Sequence, residues 1–215
     1  MNESMISKIK EQKIVVIVRG VESADLIPVA EAICNGGVQF LEVTYSADGR
    51  VSDEETAKNI KLLAEHFKDK MYIGAGTVLT EKQVELTFNA GGRFIISPDA
   101  NDAVIKKTKE LGMISMPGAL TPTEIQMAHR SGADFVKLFP VTNLGCSYVK
   151  AVKAPLSHIN FLAVGGVNLD NIKDYLSAGV CGFGIGTNII DKNLVKAKDF
   201  EGITELARKY VEAVK

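Results

Sequence analysis

Two charged residues stand inside short apolar runs that otherwise have the composition of buried β-strands. Lys137 lies in DFVKLF (134–139), and Glu42 lies in FLEVT (40–44). Lysine and glutamate are almost never fully buried unless something compensates their charge. A desolvated lysine favours its neutral amine, which is a nucleophile toward a carbonyl carbon. A carboxylate beside it can move protons directly or through a water molecule, so the two residues predict covalent carbonyl chemistry.

Strand alternation tells which neighbours share a face with each of these two side chains. Lys137 shares a strand face with Phe135 and Phe139, and Glu42 shares one with Phe40. If both faces point inward, the lysine and the glutamate meet near the carboxyl ends of their strands. The alternative is a buried structural ion pair, which would contribute little net stability.

The strands that carry these residues belong to a regular series. Amphipathic segments of helical length, such as 25–34 and 54–67, lie between most of the apolar runs, and this alternation is typical of parallel β/α units. Eight such units in 215 residues favour a compact (β/α)8 TIM barrel over a doubly wound open sheet. The open sheet would usually carry a G-x-G-x-x-G turn after its first strand, whereas this strand runs into Val18-Arg19-Gly20. The predicted strands cover residues 14–18, 40–44, 71–75, 93–97, 113–117, 134–139, 160–164 and 181–185.

A weak internal repeat accompanies these units. The junctions NGGVQFLEV, NAGGRFIIS, ELGMISM, RSGADFVKL and SAGVCGFGI each pass from a helix through glycine into a strand. Glycine in this place takes the left-handed backbone conformation that ends a helix. We therefore expect a single barrel domain over residues 1–215.

The composition of the chain argues against several classes of protein. It is 46% hydrophobic and 24% charged with a formal net charge of −1, so neither nucleic acid nor an anionic membrane is indicated as a partner. There is no apolar run long enough to span a bilayer, and the polar first residues lack the apolar core of a signal peptide. The scattered cysteines and histidines show no metal-ligand spacing, so we expect a reduced, cytoplasmic protein without a metal.

Two glycine-rich turns follow the last two predicted strands. FLAVGGVNLDN places Gly165 and Gly166 after the seventh strand, with Asn168 as the predicted N-cap of the next helix. CGFGIGTNI places Gly186 and Thr187 after the eighth strand. Glycine allows close backbone approach to a ligand, and amides at a helix start point toward a phosphate. Because active sites of such barrels lie at the carboxyl ends of the strands, these turns predict a phosphate site.

Six segments, taken in order, give the chain a resemblance to a known family. They are GGVQFLEVT, IGAGTVLT, FIISPDA, SMPGALTPTEI, VKLFP and AVGGVN. They resemble the KDPG/KHG aldolases, which act on 2-keto-3-deoxy-6-phosphogluconate and 4-hydroxy-2-oxoglutarate. The resemblance implies a TIM barrel, usually a homotrimer, that releases pyruvate and an aldehyde such as glyceraldehyde 3-phosphate in sugar-acid breakdown of the Entner–Doudoroff type. It implies no cofactor, because the reaction proceeds through a Schiff base on the enzyme.

The functional residues of that family can be placed on this sequence one by one. Lys137 matches the Schiff-base lysine, and Glu42 matches the proton-transferring glutamate. The residues that match the family's pyruvyl pocket are Thr77, Pro98, Pro117 and Phe139. Those that match its phosphate-binding turns are Gly165, Gly166 and Thr187, with Gly186 beside the last of them.

Departures from the family pattern bear on the substrate. Ser46 stands where many members carry an arginine that clamps the carboxylate, so we expect Arg19 to take that role in preference to Arg50 of the following loop. Ala163-Val164 stand where gluconate-specific members often have Pro-Thr, a pattern closer to the 6-phosphogalactonate aldolases. A 2-dehydro-3-deoxy-6-phosphogalactonate substrate therefore remains an alternative.

Two further functions stay open at the level of sequence. A phosphosugar isomerase or epimerase barrel would use Glu42 as its base and Lys137 only as an electrostatic group. A non-catalytic barrel would merely bind a phosphorylated sugar acid. The state of the lysine separates all three functions, because only an aldolase of this kind forms a covalent bond to it.

Overall fold

Short parallel strands alternate with helices along the chain, of which the computed structural model describes residues 2–68 and 70–215. The strands are β1 Ile14–Val18, β2 Phe40–Thr44, β3 Tyr72–Gly76, β4 Phe94–Ile96, β5 Ile114–Met116, β6 Gly118–Ala119, β7 Val136–Leu138, β8 Phe161–Val164 and β9 Gly182–Ile185. They form one sheet in the order β5-β4-β3-β2-β1-β9-β8-β7-β6.

Helix α1 precedes the first strand, and the other helices follow strands and supply the outer layer. They are α1 Asn2–Gln12, α2 Ser23–Asn35, α3 Asp53–Phe67, α4 Glu81–Asn89, α5 Asp102–Glu110, α6 Pro122–Arg130, α7 Gly145–Lys153, α8 Ile172–Ser177, α9 Lys192–Ala197 and α10 Phe200–Ala213. Local sequence fixes several of their starts: Thr80 and Thr121 form capping boxes that satisfy the first amides of α4 and α6. Among the helices of the described residues, none is long and apolar enough to cross a membrane.

Hydrogen bonds close the sheet into a barrel through an interrupted strand. β5 pairs with β4 and β6 pairs with β7, so the segments on either side of Pro117 share one strand position. The carbonyl of Pro117 accepts from the Lys137 amide at 2.9 Å, and the carbonyl of Ser115 accepts from the Phe135 amide at 3.2 Å. The predicted (β/α)8 barrel is confirmed, and the open doubly wound sheet is wrong.

The observed strand ends differ from the predicted ones for identifiable reasons. β6 is missing from the prediction because Pro117, which has no N–H, ends the apolar run before it. β7 is shorter than the predicted 134–139, because the Asp134 side chain binds neighbouring segments where the prediction has the strand begin. Its carboxylate accepts from the Ser115 amide at 2.8 Å and pairs with Lys109 at 2.6 Å.

Alternate strand residues pack into two separate apolar layers. One face of the sheet packs against the surrounding helices, as Val16, Leu41 and Phe183 do. The other face fills the barrel, and we call this set the interior cluster. Its buried members are Ile9, Val15, Phe40, Phe94, Ile96, Ile114, Met116, Phe135 and Leu162.

Helix α1 closes the amino end of the barrel. Ile9 is buried in the interior cluster, with Met5 and Ile6 packed beside it. This spacing of i, i+1 and i+4 places all three on one helix face. The amino end is therefore filled by apolar side chains, which leaves the carboxyl end open for a site.

The five predicted helix-ending glycines take the expected backbone conformation. Gly37, Gly91, Gly112, Gly132 and Gly179 have φ values of 94°, 86°, 71°, 104° and 99°. Each lies just after a helix and allows the chain to turn back toward the sheet. The repeat seen in the sequence is therefore confirmed in the fold.

Candidate active site

The two charged strand residues lie inside the barrel, next to its aromatic layer. Phe40 and Phe135 belong to the interior cluster. Glu42 follows Phe40 by two residues and Lys137 follows Phe135 by two residues, so each charged residue shares a strand face with its aromatic neighbour. Only 2% of Glu42 and 7% of Lys137 is exposed. The structure therefore brings both residues toward the open carboxyl end of the barrel, as strand alternation predicts.

The carboxylate of Glu42 occupies a space that exists because residue 76 is glycine. A Cβ atom added at Gly76 would lie 2.6 Å from the carboxylate carbon of Glu42. The Oε2 atom is buried and, within the described residues, has no hydrogen-bond partner. A buried oxygen without a partner is costly, so this atom is available to a substrate hydroxyl or a water molecule.

The ammonium group of Lys137 is held by an aromatic ring. Its Nζ atom lies 4.5 Å from the centroid of Phe139, two residues further along the chain. Among the described residues, no carboxylate oxygen lies within 4.0 Å of it. The alternative of a direct structural ion pair between Lys137 and Glu42 is therefore absent from the structure.

Burial shifts the pKa values of both groups toward their neutral forms. Desolvation raises the pKa of Glu42 to about 7, with the charges of Lys137 and Arg19 opposing that shift. Desolvation also lowers the pKa of Lys137, which Glu42 opposes and Arg19 reinforces. A carboxyl group with a pKa near neutrality can accept and return a proton, and a lysine with a lowered pKa supplies neutral amine.

Arg19 crosses the mouth of the barrel toward Thr77. The end of β1 positions Arg19 and the end of β3 positions Thr77, and the arginine Nη2 donates to Thr77 Oγ1 at 2.9 Å. Thr77 has a φ of 56°, a conformation that a β-branched residue rarely adopts. Such a conformation persists only where the surrounding structure holds the residue in place, and it is found most often at binding and catalytic sites.

Arg50, the other arginine considered for the carboxylate clamp, is engaged elsewhere. Its side chain is 86% exposed and pairs with Asp48 at 3.0 Å. Ser46 donates to the same aspartate at 2.5 Å, so the loop after β2 satisfies its own polar groups. The charge that acts on both Glu42 and Lys137 is that of Arg19.

Two prolines form the opposite side of the barrel mouth. Pro98 follows β4 and Pro117 separates β5 from β6. A Cβ atom at Gly118 would overlap the carbonyl of Pro98, so the two segments lie against each other. Pro117 is buried and Pro98 is half-buried, which fits a wall that excludes water from the lysine side of the barrel.

A cleft of about 700 Å³ opens at the carboxyl ends of β1, β8 and β9. All four predicted phosphate-turn residues line it: Gly165, Gly166, Gly186 and Thr187. Lys137 and Glu42 lie deeper and do not line it. Arg19 and Phe139 do line the cleft. Arg19 contacts Thr77 and Phe139 contacts Lys137, so the cleft adjoins the part of the barrel that holds Lys137 and Glu42.

Backbone conformation and asparagine side chains shape the two turns. Gly165 and Gly166 have φ values of 89° and 79°, which only glycine adopts readily. Asn188 Nδ2 donates to the Val167 carbonyl at 2.8 Å and ties one turn to the other. The prediction that Asn168 is the helix N-cap is wrong, because α8 starts at Ile172; Asn168 instead accepts amide hydrogen bonds within the preceding turn.

Some residues at the site are absent from the prediction. Gly76 lies in GAGTV, but nothing in that string tells which side chain fills the space beside it. Lys192 and Lys196 line the outer cleft, and their spacing on α9 is the only signal the sequence offers. Across residues 2–68 and 70–215, no group of three or more histidine, cysteine, aspartate or glutamate side chains is placed to hold a metal ion.

Known proteins resemble this chain over nearly its whole length. A family model described as "KDPG and KHG aldolase" matches residues 5–206. A 2-dehydro-3-deoxy-phosphogluconate aldolase of Haemophilus influenzae is 30% identical over 99% of this chain and 98% of its own length. A probable 2-dehydro-3-deoxy-6-phosphogalactonate aldolase of Rhizobium meliloti is 36% identical over 83% of this chain and 82% of its own.

A solved structure resembles the fold over nearly the whole chain. It is the KDPG aldolase of Legionella pneumophila with pyruvate captured at low pH as a covalent carbinolamine intermediate. It is 29% identical, with a TM-score of 0.84 over 94% of this chain and 96% of that one. That protein therefore binds pyruvate covalently within the same fold.

Proposed function

Because this chain belongs to the KDPG and KHG aldolase family, we propose that Lys137 is its Schiff-base nucleophile and Glu42 its proton-transfer group. The chain is a carbon–carbon lyase of the class I type, whose chemistry needs no external cofactor. One observation carries the residue assignment: Lys137 and Glu42 are buried on the interior face of one barrel, and each has its pKa shifted toward the neutral form.

The proposed reaction begins at the keto carbon of the substrate. The neutral amine of Lys137 attacks C2, and the carbinolamine that forms loses water to give a protonated imine. Glu42 then takes the proton of the C4 hydroxyl, directly or through a water molecule. The C3–C4 bond breaks, its electron pair passes into the imine to give an enamine, and the aldehyde leaves.

Return of the proton completes the cycle. Protonation of the enamine at C3, with the proton held by Glu42, regenerates the imine of pyruvate. Addition of water to C2 releases pyruvate and restores the Lys137 amine. A pKa of about 7 for Glu42 suits both steps, because one group must accept a proton and later give it back near neutral pH.

Two groups of residues hold the ends of the substrate in this proposal. Arg19, positioned by Thr77, pairs with the carboxylate next to the keto carbon through its planar guanidinium. Pro98, Pro117 and Phe139 form the wall around the pyruvyl part. The turns at Gly165-Gly166 and Gly186-Thr187 bind the terminal phosphate through backbone amides.

We infer that the substrate is a 2-keto-3-deoxy-6-phospho sugar acid. The cleft of about 700 Å³ is lined by Arg19 as well as by the glycine turns, so a sugar acid with a carboxylate at one end and a phosphate at the other fits it. The gluconate and galactonate forms differ only in the configuration at C4. Val164 lines the cleft at the position where gluconate-specific relatives often have threonine, which favours testing the galactonate form alongside the gluconate form.

Substrate cleavage can be tested by coupling pyruvate release to a lactate dehydrogenase assay. The two C4 epimers and 4-hydroxy-2-oxoglutarate are supplied in turn to the wild type and to Lys137→Met. We expect pyruvate from at least one phosphorylated epimer, none from the variant, and the same wild-type rate in EDTA. An isomerase or a non-catalytic binder would release no pyruvate, and activity that persists in Lys137→Met would remove the lysine from its role.

We also propose that the chain acts in the cytoplasm as a homotrimer. The support is family membership together with three cysteines that remain unpaired in the fold. Analytical ultracentrifugation of the purified protein should give three times the chain mass. A monomer or a dimer would contradict the trimer, and recovery of the native protein outside the cytoplasm would contradict the location.

A further inference from the structure

One wall of the cleft is formed by a short helix that the family resemblance leaves without a role. Lys192, Val195 and Lys196 of α9 all line the cleft. Their spacing of i, i+3 and i+4 places them on one face of the helix. Both lysines therefore extend from the face of α9 that is turned toward the glycine turns.

Of the charged side chains described at this cleft, some have a partner of opposite charge and others have none. Glu22 and Asp25 also line the cleft, and Asp25 lies 3.7 Å from Lys198, the residue that follows α9. Within the described part of the chain, Lys192 and Lys196 have no carboxylate oxygen within 4.0 Å. The cleft is thus lined by two ammonium groups that pair with no carboxylate of the described residues, while Asp25 already has Lys198 as its partner.

We propose that Lys192 and Lys196 form an outer cationic clamp for the phosphate of the substrate, an inference that rests on the proposed function. The glycine turns offer neutral amides, whereas a phosphate dianion brings a full charge into a cleft that also contains two acids. The two ammonium groups of α9 compensate that charge. They act as specificity-determining residues for phosphorylated substrates.

The strength of the clamp follows from its exposure. Both lysines are exposed, so water and salt weaken each contact. We expect the two together to lower the KM for a phosphorylated substrate about three- to tenfold. Because the Debye length is about 10 Å at 0.1 M salt, that advantage should shrink as ionic strength rises.

The test compares two double variants with the same loss of charge. Lys192→Gln/Lys196→Gln removes the clamp, and Lys150→Gln/Lys209→Gln removes two exposed lysines that do not line the cleft. We expect only the clamp variant to have a raised KM for the phosphorylated substrate. We also expect that its KM depends less on ionic strength than the KM of the wild type does. The kcat, the KM for 4-hydroxy-2-oxoglutarate and the covalent trapping of pyruvate should stay unchanged.

A second readout does not depend on turnover. Inorganic phosphate should raise the Tm of the wild type and of the control variant more than that of the clamp variant. Equal phosphate effects in all three proteins, or equal KM changes for both kinds of substrate, would overturn the clamp. Failure of the wild type to release pyruvate would instead overturn the proposed function, while the phosphate titration would still decide the clamp.

Discussion

The carboxylate of Glu42 packs directly against the backbone of Gly76. Any side chain at residue 76 would enter the space of that carboxylate, since a Cβ atom there would lie 2.6 Å from its carbon atom. The two residues stand on neighbouring parallel strands, where Thr44 and not Glu42 is the register partner of Gly76. The glycine therefore leaves the space for the carboxylate that we propose as the proton-transfer group.

Gly76→Ala should slow catalysis without unfolding the protein. The added methyl group must push the Glu42 carboxylate aside, and a displacement of about 1 Å can lower a rate about 100-fold. We expect kcat for aldol cleavage to fall while the far-ultraviolet circular dichroism spectrum is retained. A variant that keeps the wild-type kcat would show that the position of the carboxylate matters little.

Glu42→Gln should separate proton transfer from substrate binding. Gln keeps the size of the side chain but cannot exchange protons, and loss of a general acid–base group lowers rates about 10²- to 10⁴-fold. We expect kcat to fall by this order with little change in KM, and the limb of the pH–rate profile near pH 7 to disappear. Survival of that limb in the variant would assign it to another group.

The same substitution should change how stability depends on pH. Burial raises the folded-state pKa of Glu42 from 4.5 to about 7, so the folded protein favours the protonated carboxyl. Stability from this group is present below the unfolded value and is lost as the pH rises through about 7, by an amount of order 3 kcal/mol. The Tm of Glu42→Gln relative to the wild type should therefore be higher at pH 8.5 than at pH 5. An unchanged difference would mean that Glu42 does not titrate in this range.

Arg19→Lys should weaken pyruvate binding more than Arg50→Lys does. A lysine ammonium cannot reproduce the planar contact of a guanidinium with a carboxylate, which is worth roughly 1.5–3 kcal/mol. The concentration of pyruvate that half-saturates trapping should rise by about one to two decades. If Arg50→Lys shows this loss and Arg19→Lys does not, the residue that binds the pyruvate carboxylate is Arg50, in the loop after β2.

The sequence predicts the barrel well because its repeated features are local. Apolar runs, amphipathic segments and the glycines that end helices each depend on a few neighbouring residues, and all five glycines adopt positive φ. The fixed period of strand alternation also tells that Glu42 shares a face with Phe40 and Lys137 with Phe135. That these faces point into the barrel follows from the packing of Phe40 and Phe135 in the interior cluster.

Other features depend on contacts that the sequence does not specify. The split strand at Pro117 is recognisable only when β7 is seen to pair with β6. The role of α1 at the amino end of the barrel depends on Ile9 reaching the interior cluster, although the segment is polar overall. The space beside Gly76 and the face of α9 turned to the cleft are likewise properties of packing between distant residues.

Gly186→Ala should test the phosphate turns more cleanly than a change at Gly166. A Cβ atom at Gly166 would lie 3.0 Å from Thr142 Cα, and the positive φ adds strain, whereas one at Gly186 would lie an ordinary 3.7 Å from Ile17 Cβ. The methyl group at residue 186 enters the cleft, so KM for a phosphorylated substrate should rise about tenfold if it costs one amide–phosphate contact. The KM for 4-hydroxy-2-oxoglutarate, which has no phosphate, should hardly change. Equal damage to both substrates would place the phosphate elsewhere.

Covalent trapping of pyruvate on Lys137 tests the central claim most directly. The protein is incubated with pyruvate, reduced with borohydride and digested, and the peptides are analysed by mass spectrometry. The proposed mechanism predicts a lactyl-sized addition on the peptide that contains Lys137 and none in Lys137→Met, because only an imine is reduced to a stable amine. An unmodified Lys137 peptide, or the same addition on a different lysine, would contradict it.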